Sequence, residues 1–243
     1  MFDLEFFEEL KKQKQFQVLA TDEVGRGPLA GPVVSACASL VVRKYKKDEI
    51  QSFLEEFRNL GVNDSKKLSK IARRKVLSNF HIDTLAKDQI IEIELSKNVT
   101  LKIVIKEISA QKIDEINILQ ASLLSMKLGA EELWENDISA GVVLIDGNKK
   151  FKFKHDETKL QTIVKGDSKS VLIGLASVVA KEYRDLLMEE IGKEYPEYDW
   201  EKNAGYPTKN HLSAINEFGF TKWHRLSFKG VKEHYEQGRA QRS

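Results

Sequence analysis

Phe16-Gln17-Val18-Leu19-Ala20-Thr21-Asp22-Glu23-Val24-Gly25-Arg26-Gly27-Pro28-Leu29-Ala30-Gly31-Pro32-Val33-Val34 is the stretch on which the reading of this chain turns. Phe16, Val18, Leu19 and Ala20 form an apolar, β-prone run of the kind found in buried strands. Asp22 and Glu23 stand at its end. A turn, Gly25-Arg26-Gly27-Pro28, follows, and then a second apolar run: Val33, Val34, Ala36, Ala38, Leu40, Val41 and Val42. Paired acids can hold a hard divalent cation, and a glycine loop lets main-chain groups approach a ligand. The same residues also fit a plain strand end with solvated acids and a tight turn.

Composition bounds the rest. A chain of 243 residues with 41% hydrophobic and 31% charged residues buries one core, with room for a small appendage. No apolar run approaches the roughly 20 residues needed to span a bilayer. The N-terminus is acidic and amphipathic (Asp3, Glu5, Glu8, Glu9) and lacks the basic start and apolar centre of a secretory signal. Cys37 is the single cysteine, so no intrachain disulfide or cysteine metal site forms, and a cytoplasmic location fits. A net charge of +2 neither establishes nor excludes nucleic-acid binding, because clustering decides that.

Around the opening stretch, Phe2, Phe6, Phe7 and Leu10 predict a short helical arm over residues 2–15. Residues 16–42 predict two antiparallel strands, and Ile50, Phe53, Leu54 and Phe57 a short helix over 50–59. Ser65, Lys66 and Lys67 read either as a solvated basic turn or as a phosphate site, with Ser69 capping a helix over 71–80. Residues 84–95 predict a strand. Leu101, Val104, Ile105 and Ile108, then Ile113, Ile116, Leu119, Leu123 and Met126, predict a long helix over 99–135, broken near Gln111-Lys112.

Val142–Ile145 is an apolar run ending in Asp146-Gly147. It reads as a turn, or as a buried strand whose end presents a carboxylate beside Asp22 and Glu23. Lys152 and Lys154 alternate with Phe151 and Phe153, either as a solvated loop or as a track for a nucleic-acid backbone. Residues 160–165 predict a strand, followed by a helix to about residue 193. Asp167 is either that helix's N-cap or a further acid of the cluster. In the tail, Tyr206 lies in a Gly/Pro loop where its ring can stack on a sugar or base. His211, His224 and Arg225 either shape that loop or meet phosphates, and the spacing of His211, His224 and His234 does not suit zinc. Residues 237–243 are a polar end.

Several of these stretches resemble one family. Asp22-Glu23-Val24-Gly25-Arg26-Gly27-Pro28 is similar to the signature of the bacterial type 2 ribonucleases H, ribonuclease HII. Asp64-Ser65-Lys66-Lys67-Leu68-Ser69, the 113–121 stretch and Lys165-Gly166-Asp167-Ser168-Lys169-Ser170 resemble further motifs in order. So do Ala176-Ser177-Val178-Val179-Ala180-Lys181-Glu182-Tyr183-Arg184-Asp185, Gly205–His211 and His224–Phe228. Glu182-Tyr183 departs only at a variable part of its motif. The type 3 relatives usually carry Gly-Lys-Gly in the first loop, and a sizeable N-terminal domain for which 15 residues leave no room.

The resemblance, which runs from about residue 16 to 228, implies an α/β fold of ribonuclease H type. A mixed central sheet is flanked by helices, with a small C-terminal helical segment. The implied organisation is an N-terminal arm over 1–15, a catalytic domain over 16–193 and a substrate-contacting segment over 194–243. Asp22, Glu23, Asp146 and Asp167 become the metal-binding catalytic acids, holding two Mg²⁺ or Mn²⁺ ions ~4 Å apart. Adjacent strand residues point to opposite faces, so Asp22 and Glu23 converge only where the strand bends or ends. Gly25, Arg26, Gly27, Ser65, Lys66, Lys165, Tyr206, His224 and Arg225 become substrate contacts. The implied substrates are RNA–DNA hybrids and duplex DNA with an embedded ribonucleotide, cut 5′ of the ribonucleotide. A monomer is the default expectation, and composition predicts no membrane contact. A non-catalytic nucleic-acid scaffold, a type 3 enzyme acting only on longer hybrids, and another nuclease or integrase of the same fold are the alternatives.

Overall fold

In a computed structural model of the chain, residues 2–62, 68–138, 140–155 and 158–240 are described, the last four without side chains. Helix α1 (Phe2–Leu10) leads into strands β1 (Phe16–Val24) and β2 (Val33–Val42). Helices α2 (Lys47–Asn59) and α3 (Lys70–Asn79) precede strands β3 (Ile91–Ser96) and β4 (Val99–Ile108). Then come α4 (Ala110–Ile116), α5 (Ile118–Leu133), β5 (Gly141–Asp146), β6 (Lys159–Ile163) and the long α6 (Val171–Glu194). Short helices α7 (Trp200–Asn203), α8 (Lys209–Phe218) and α9 (Lys232–Ala240) close the chain.

The six strands form one mixed sheet in the order β3-β4-β2-β1-β5-β6. β1, β5 and β6 run parallel; β2 is antiparallel to β1, and β4 to β2. Every residue of β2 is buried, as a central strand covered on both faces requires. Val18, Ala20, Ala36, Ala38 and Leu144 pack against α6 on one face. Leu19, Cys37, Val41, Val143 and Ile145 pack with Met126, Ala130 and Leu133 of α5 on the other. Gly129 of α5 lies so close to the sheet that a Cβ there would sit 2.7 Å from Cys37 Sγ. Burial pushes that thiol up to about 12, which leaves it an inert core residue.

Residues 99–108 correct the helical expectation. They form β4, paired along its full length with β2. The apolar residues at 101, 104, 105 and 108 satisfy a helical period. The β-branched run Val99-Thr100-Leu101-Lys102-Ile103-Val104-Ile105 favours the strand, and helix α4 begins only after Ser109 caps it. The strand expected over 84–95 is confined to β3 and starts at Ile91. Asp167 is not the N-cap of α6. Ser170 holds that place and accepts the Ile173 N–H, while Asp167 sits in a short 3-10 turn before it. The N-terminal arm reaches the same helix end, where Asp3 accepts from Ser170 Oγ and, at 2.8 Å, from Val171 N–H. No described helix is long and apolar enough to cross a membrane.

Candidate active site

Strand parity places the acids. In β1, Asp22 shares a face with Val18 and Ala20, towards α6, and in β5 Asp146 shares that face with Val142 and Leu144. The register Thr21↔Ile145 sets Asp22 and Asp146 side by side at the carboxyl ends of two parallel strands. Ile163 of β6 pairs with Asp146, and the turn just beyond carries buried Asp167. Gly166 N–H donates to Asp146 Oδ1 at 2.6 Å. Glu23 has the opposite parity. At the end of the strand it borders a cleft of about 80 Å³ that it shares with Asp146, Asn148 and Lys149.

Asp22 is almost wholly buried. Burial, then the neighbouring Asp146 and Glu23 carboxylates, push it well above the usual carboxylate range. The Ser177 hydroxyl of α6 and the Glu23 N–H, 2.8 Å from Asp22 Oδ1, pull it the other way. Crowded oxygen donors with no cysteine or histidine among them suit a hard divalent cation, which would relieve the repulsion. Among the described residues, no three His, Cys, Asp or Glu side chains already form a group with metal-site geometry.

The Gly25–Pro32 loop is held from behind. Arg225 donates from Nη2 to Gly25 O (2.6 Å), from Nη1 to Arg26 O (3.2 Å) and from Nε to Gly31 O (3.0 Å). Arg184 of α6 donates to Pro32 O, Ala30 O and Ala204 O, each at 3.0 Å. Both guanidiniums are buried, and desolvation pulls Arg184 down to about 10 and Arg225 to about 9. Gly25 has φ +90°, and a Cβ there would lie 2.3 Å from Arg184 Nε, so glycine is required twice over. Arg26 extends outward and pairs with Glu23 at 3.3 Å. Half-exposed Tyr206 sits at the outer side of the loop, its ring 3.4 Å from where a Gly27 Cβ would be.

His224 and Arg225 are therefore corrected as substrate contacts: both lie inside the protein, and their polar atoms are spent there. His211 and His224 form a buried neutral pair. Trp200 Nε1–H donates to His211 Nε2 (3.0 Å), and His224 Nε2 lies 3.1 Å from the same nitrogen. Thr221 N–H donates to His224 Nδ1 (2.9 Å), so the His224 proton sits on Nε2 and points at His211. His211 then donates from Nδ1 to Tyr206 O at 2.9 Å. Lys165 is exposed, in a left-handed conformation (φ 57°) next to Gly166. Ser65 and Lys66 lie outside the described residues.

Three supporting residues escaped the sequence reading as individuals. Ser177 and Arg184 sit in the quoted Ala176–Asp185 motif, which was the available signal. Asp114, which accepts from Leu226 N–H and Ser227 N–H and anchors the segment behind the loop, lies in the 113–121 stretch, which carried the same kind of signal. A cleft of about 350 Å³ beside α3 is lined by other residues, and of its two carboxylates, Asp83 and Glu182, the latter is already paired with Arg73 and Arg74.

A six-strand mixed sheet with acids at the ends of its parallel strands, covered by helices on both faces, defines a protein of the ribonuclease H fold. It resembles the crystal structure of ribonuclease H2 from Pyrococcus horikoshii OT3 (TM-score 0.63, 21% identity, 92% of this chain and 99% of that one). It also resembles Bst-RNase HIII in complex with Mn²⁺ (TM-score 0.58, 16% identity, 95% and 73%). The sequence is more specific. Residues 19–231 match the family model described as Ribonuclease HII. The curated Ribonuclease HII of Desulfotalea psychrophila is 41% identical over 219 residues, 90% of this chain and 83% of that one. The chain belongs to the ribonuclease HII family and is a ribonuclease H.

Proposed function

We propose that this enzyme hydrolyses the RNA strand of RNA–DNA hybrids and cuts immediately 5′ of a single ribonucleotide embedded in duplex DNA. The products are a 3′-hydroxyl and a 5′-phosphate. The observation that carries the reading is the alignment of Asp22 with Asp146 across two parallel strands, with Asp167 one residue beyond the glycine that holds Asp146. Asp22, Glu23, Asp146 and Asp167 would hold two divalent cations, Mg²⁺ or Mn²⁺. When bound, such ions lower the pKa of water and neutralise charge on the phosphate.

The chain's own groups prepare that chemistry. Ser177 and the Glu23 N–H orient Asp22, and the Gly166 N–H fixes one Asp146 oxygen. The two buried arginines hold the Gly25–Gly27 backbone still, so that its free polar groups meet a 2′-hydroxyl, the group that separates RNA from DNA. Tyr206, beside Gly27, stacks on the next sugar and favours deoxyribose there. Lys165, and Ser65 with Lys66, meet phosphates. The enzyme acts in the cytoplasm as a monomer. The relative bound to Mn²⁺ supports the choice of a hard cation.

Incubating the protein with a labelled DNA duplex containing one ribonucleotide, with and without Mg²⁺ or Mn²⁺, tests this directly. A metal-dependent cut 5′ of the ribonucleotide, absent from an all-DNA control, is expected. Binding without cleavage under every metal would support a scaffold instead. Cleavage confined to long hybrids would refute the single-ribonucleotide reading.

A further inference from the structure

The loop that follows β5 carries charge that the catalytic site does not use. Residues 147–155 read Gly-Asn-Lys-Lys-Phe-Lys-Phe-Lys-His, with no acid among them. The alternation in this stretch has a structural cause. Phe151 and Phe153 are buried, packing with each other and, through Phe153, against Trp134 in the core beneath α5. Lys149 and Lys150 before them and Lys152 between them are exposed. Many other lysines of the chain are engaged in ion pairs, but none of these three makes a salt bridge among the described residues.

Position makes the cluster informative. Lys149 lines the same cleft as Glu23 and Asp146. Lys150 and Lys152 line a second cleft of about 290 Å³ with Gln120, Leu124 and Lys127 of α5. The two clefts share Leu123, so they are neighbours along α5, one at the acidic edge and one beyond it. The α5 wall carries no acid from residue 118 to 130. Lys149 stands beside the carboxylates in the first cleft, and Lys150 and Lys152 line the second.

We propose that Lys149, Lys150 and Lys152 form a phosphate track that carries one flank of the duplex substrate away from the cleavage site along α5. Lysine suits this task, because it meets phosphate as a mobile point charge and carries no sequence information. The buried phenylalanines fix where the charges stand. The proposal rests on the nuclease reading above, and its test separates the two.

Binding is measured by fluorescence anisotropy on a labelled duplex with one ribonucleotide, in EDTA so that the strand stays intact, across a salt series. A parallel cleavage assay with Mg²⁺ is run on the same proteins. The K149A/K150A/K152A variant is compared with a control variant, K12A/K14A/K44A, which removes the same charge from the opposite end of the sheet. The track variant is expected to bind at least about tenfold more weakly at moderate salt. Its log K against log [salt] slope should be shallower by about 0.9 for each phosphate that the protein no longer neutralises. The control variant should match wild type. The K149R/K150R/K152R variant should restore affinity, which a purely structural role for the loop would not predict. Shortening one flank of the duplex, and not the other, should erase the difference between wild type and the track variant. Equal affinity and slope for both alanine variants would overturn the track while leaving the nuclease reading intact. Failure of wild type to cleave would overturn that reading instead.

Discussion

Two loops leave the carboxyl ends of neighbouring parallel strands, and they are built on opposite principles. The Gly25–Pro32 loop after β1 is clamped: five of its carbonyls accept from buried Arg184 and Arg225. The 147–155 loop after β5 is anchored by two buried phenylalanines, and its lysines are left to move in solvent. A group that must distinguish one hydroxyl from a hydrogen needs a backbone fixed to within a fraction of a hydrogen bond. Groups that hold a polyanion need only charge near the right path. Position is therefore protected by burial at the first loop and left open at the second.

Both loops border the acidic edge, so the largest expected effect comes from that edge. Asp146→Asn keeps the acceptor for Gly166 N–H but removes a charge. Cleavage should fall by about a thousandfold or more, as loss of several kcal/mol of charge stabilisation implies. Affinity for the same duplex in EDTA should hold or rise, because a negative charge facing phosphate is gone. Single-turnover cleavage beside anisotropy checks this, and wild-type cleavage by the variant would remove Asp146 from the site.

The next effect sharpens the contrast itself. Arg225→Met strips three loop carbonyls of their donor in a buried place, and should destabilise the fold by about 2–4 kcal/mol. Arg225→Lys should rescue little, because a single ammonium cannot reproduce the guanidinium fork. Thermal unfolding of both variants reads the loss. It should persist at high salt, since the clamp is buried, whereas the effect of the lysine track should fade as salt rises.

How much of this was legible in the sequence depended on whether a contact is local. Asp22, Glu23 and Asp146 were readable because an acid closing an apolar run has a position relative to its own strand. The stretch 99–108 was not, because its apolar residues fit two periods at once and only pairing with β2 decides between them. His224 and Arg225 were recognisable as functional by type, yet a motif does not say on which side of a loop its residues lie. Their burial comes from the cluster around Leu29, Tyr198 and Trp200, drawn from separate segments of the chain. The contacts of Asp3 and Asp114 were unreadable for the same reason: each caps backbone groups more than a hundred residues away.

Acid acts on the buried histidines and the buried acids with opposite sign. Burial lowers both His211 and His224, the latter to about 3. Their folded values lie below the unfolded one near 6.5, so their contribution is present above that pH and is lost as pH falls below it towards the folded values, for His224 by about 1.4 kcal/mol per pH unit. Asp22 and Asp3 are pushed up, chiefly by burial, which opposes that slope. The stability gap between wild type and His224→Gln isolates the histidine share. Thermal unfolding from pH 7 to pH 5 should show that gap narrowing, and a constant gap would mean that His224 is not a buried neutral histidine.

Tyr206 gives the smallest effect and the finest test of what the clamp is for. Its ring is half-exposed beside Gly27 and its hydroxyl makes no hydrogen bond among the described residues. Tyr206→Ala should therefore leave the unfolding midpoint nearly unchanged, in contrast to Arg225→Met. Losing a stacking platform worth about 1–3 kcal/mol should lower cleavage at a single ribonucleotide by roughly ten- to a hundredfold. Tyr206→Phe, which keeps the ring, should stay close to wild type. The loss should be larger on a substrate whose next sugar is deoxyribose than on a continuous RNA–DNA hybrid, as the proposed packing of the ring on a sugar without a 2′-hydroxyl requires. Equal losses on the two substrates would make Tyr206 a general contact and leave discrimination to the clamped backbone alone.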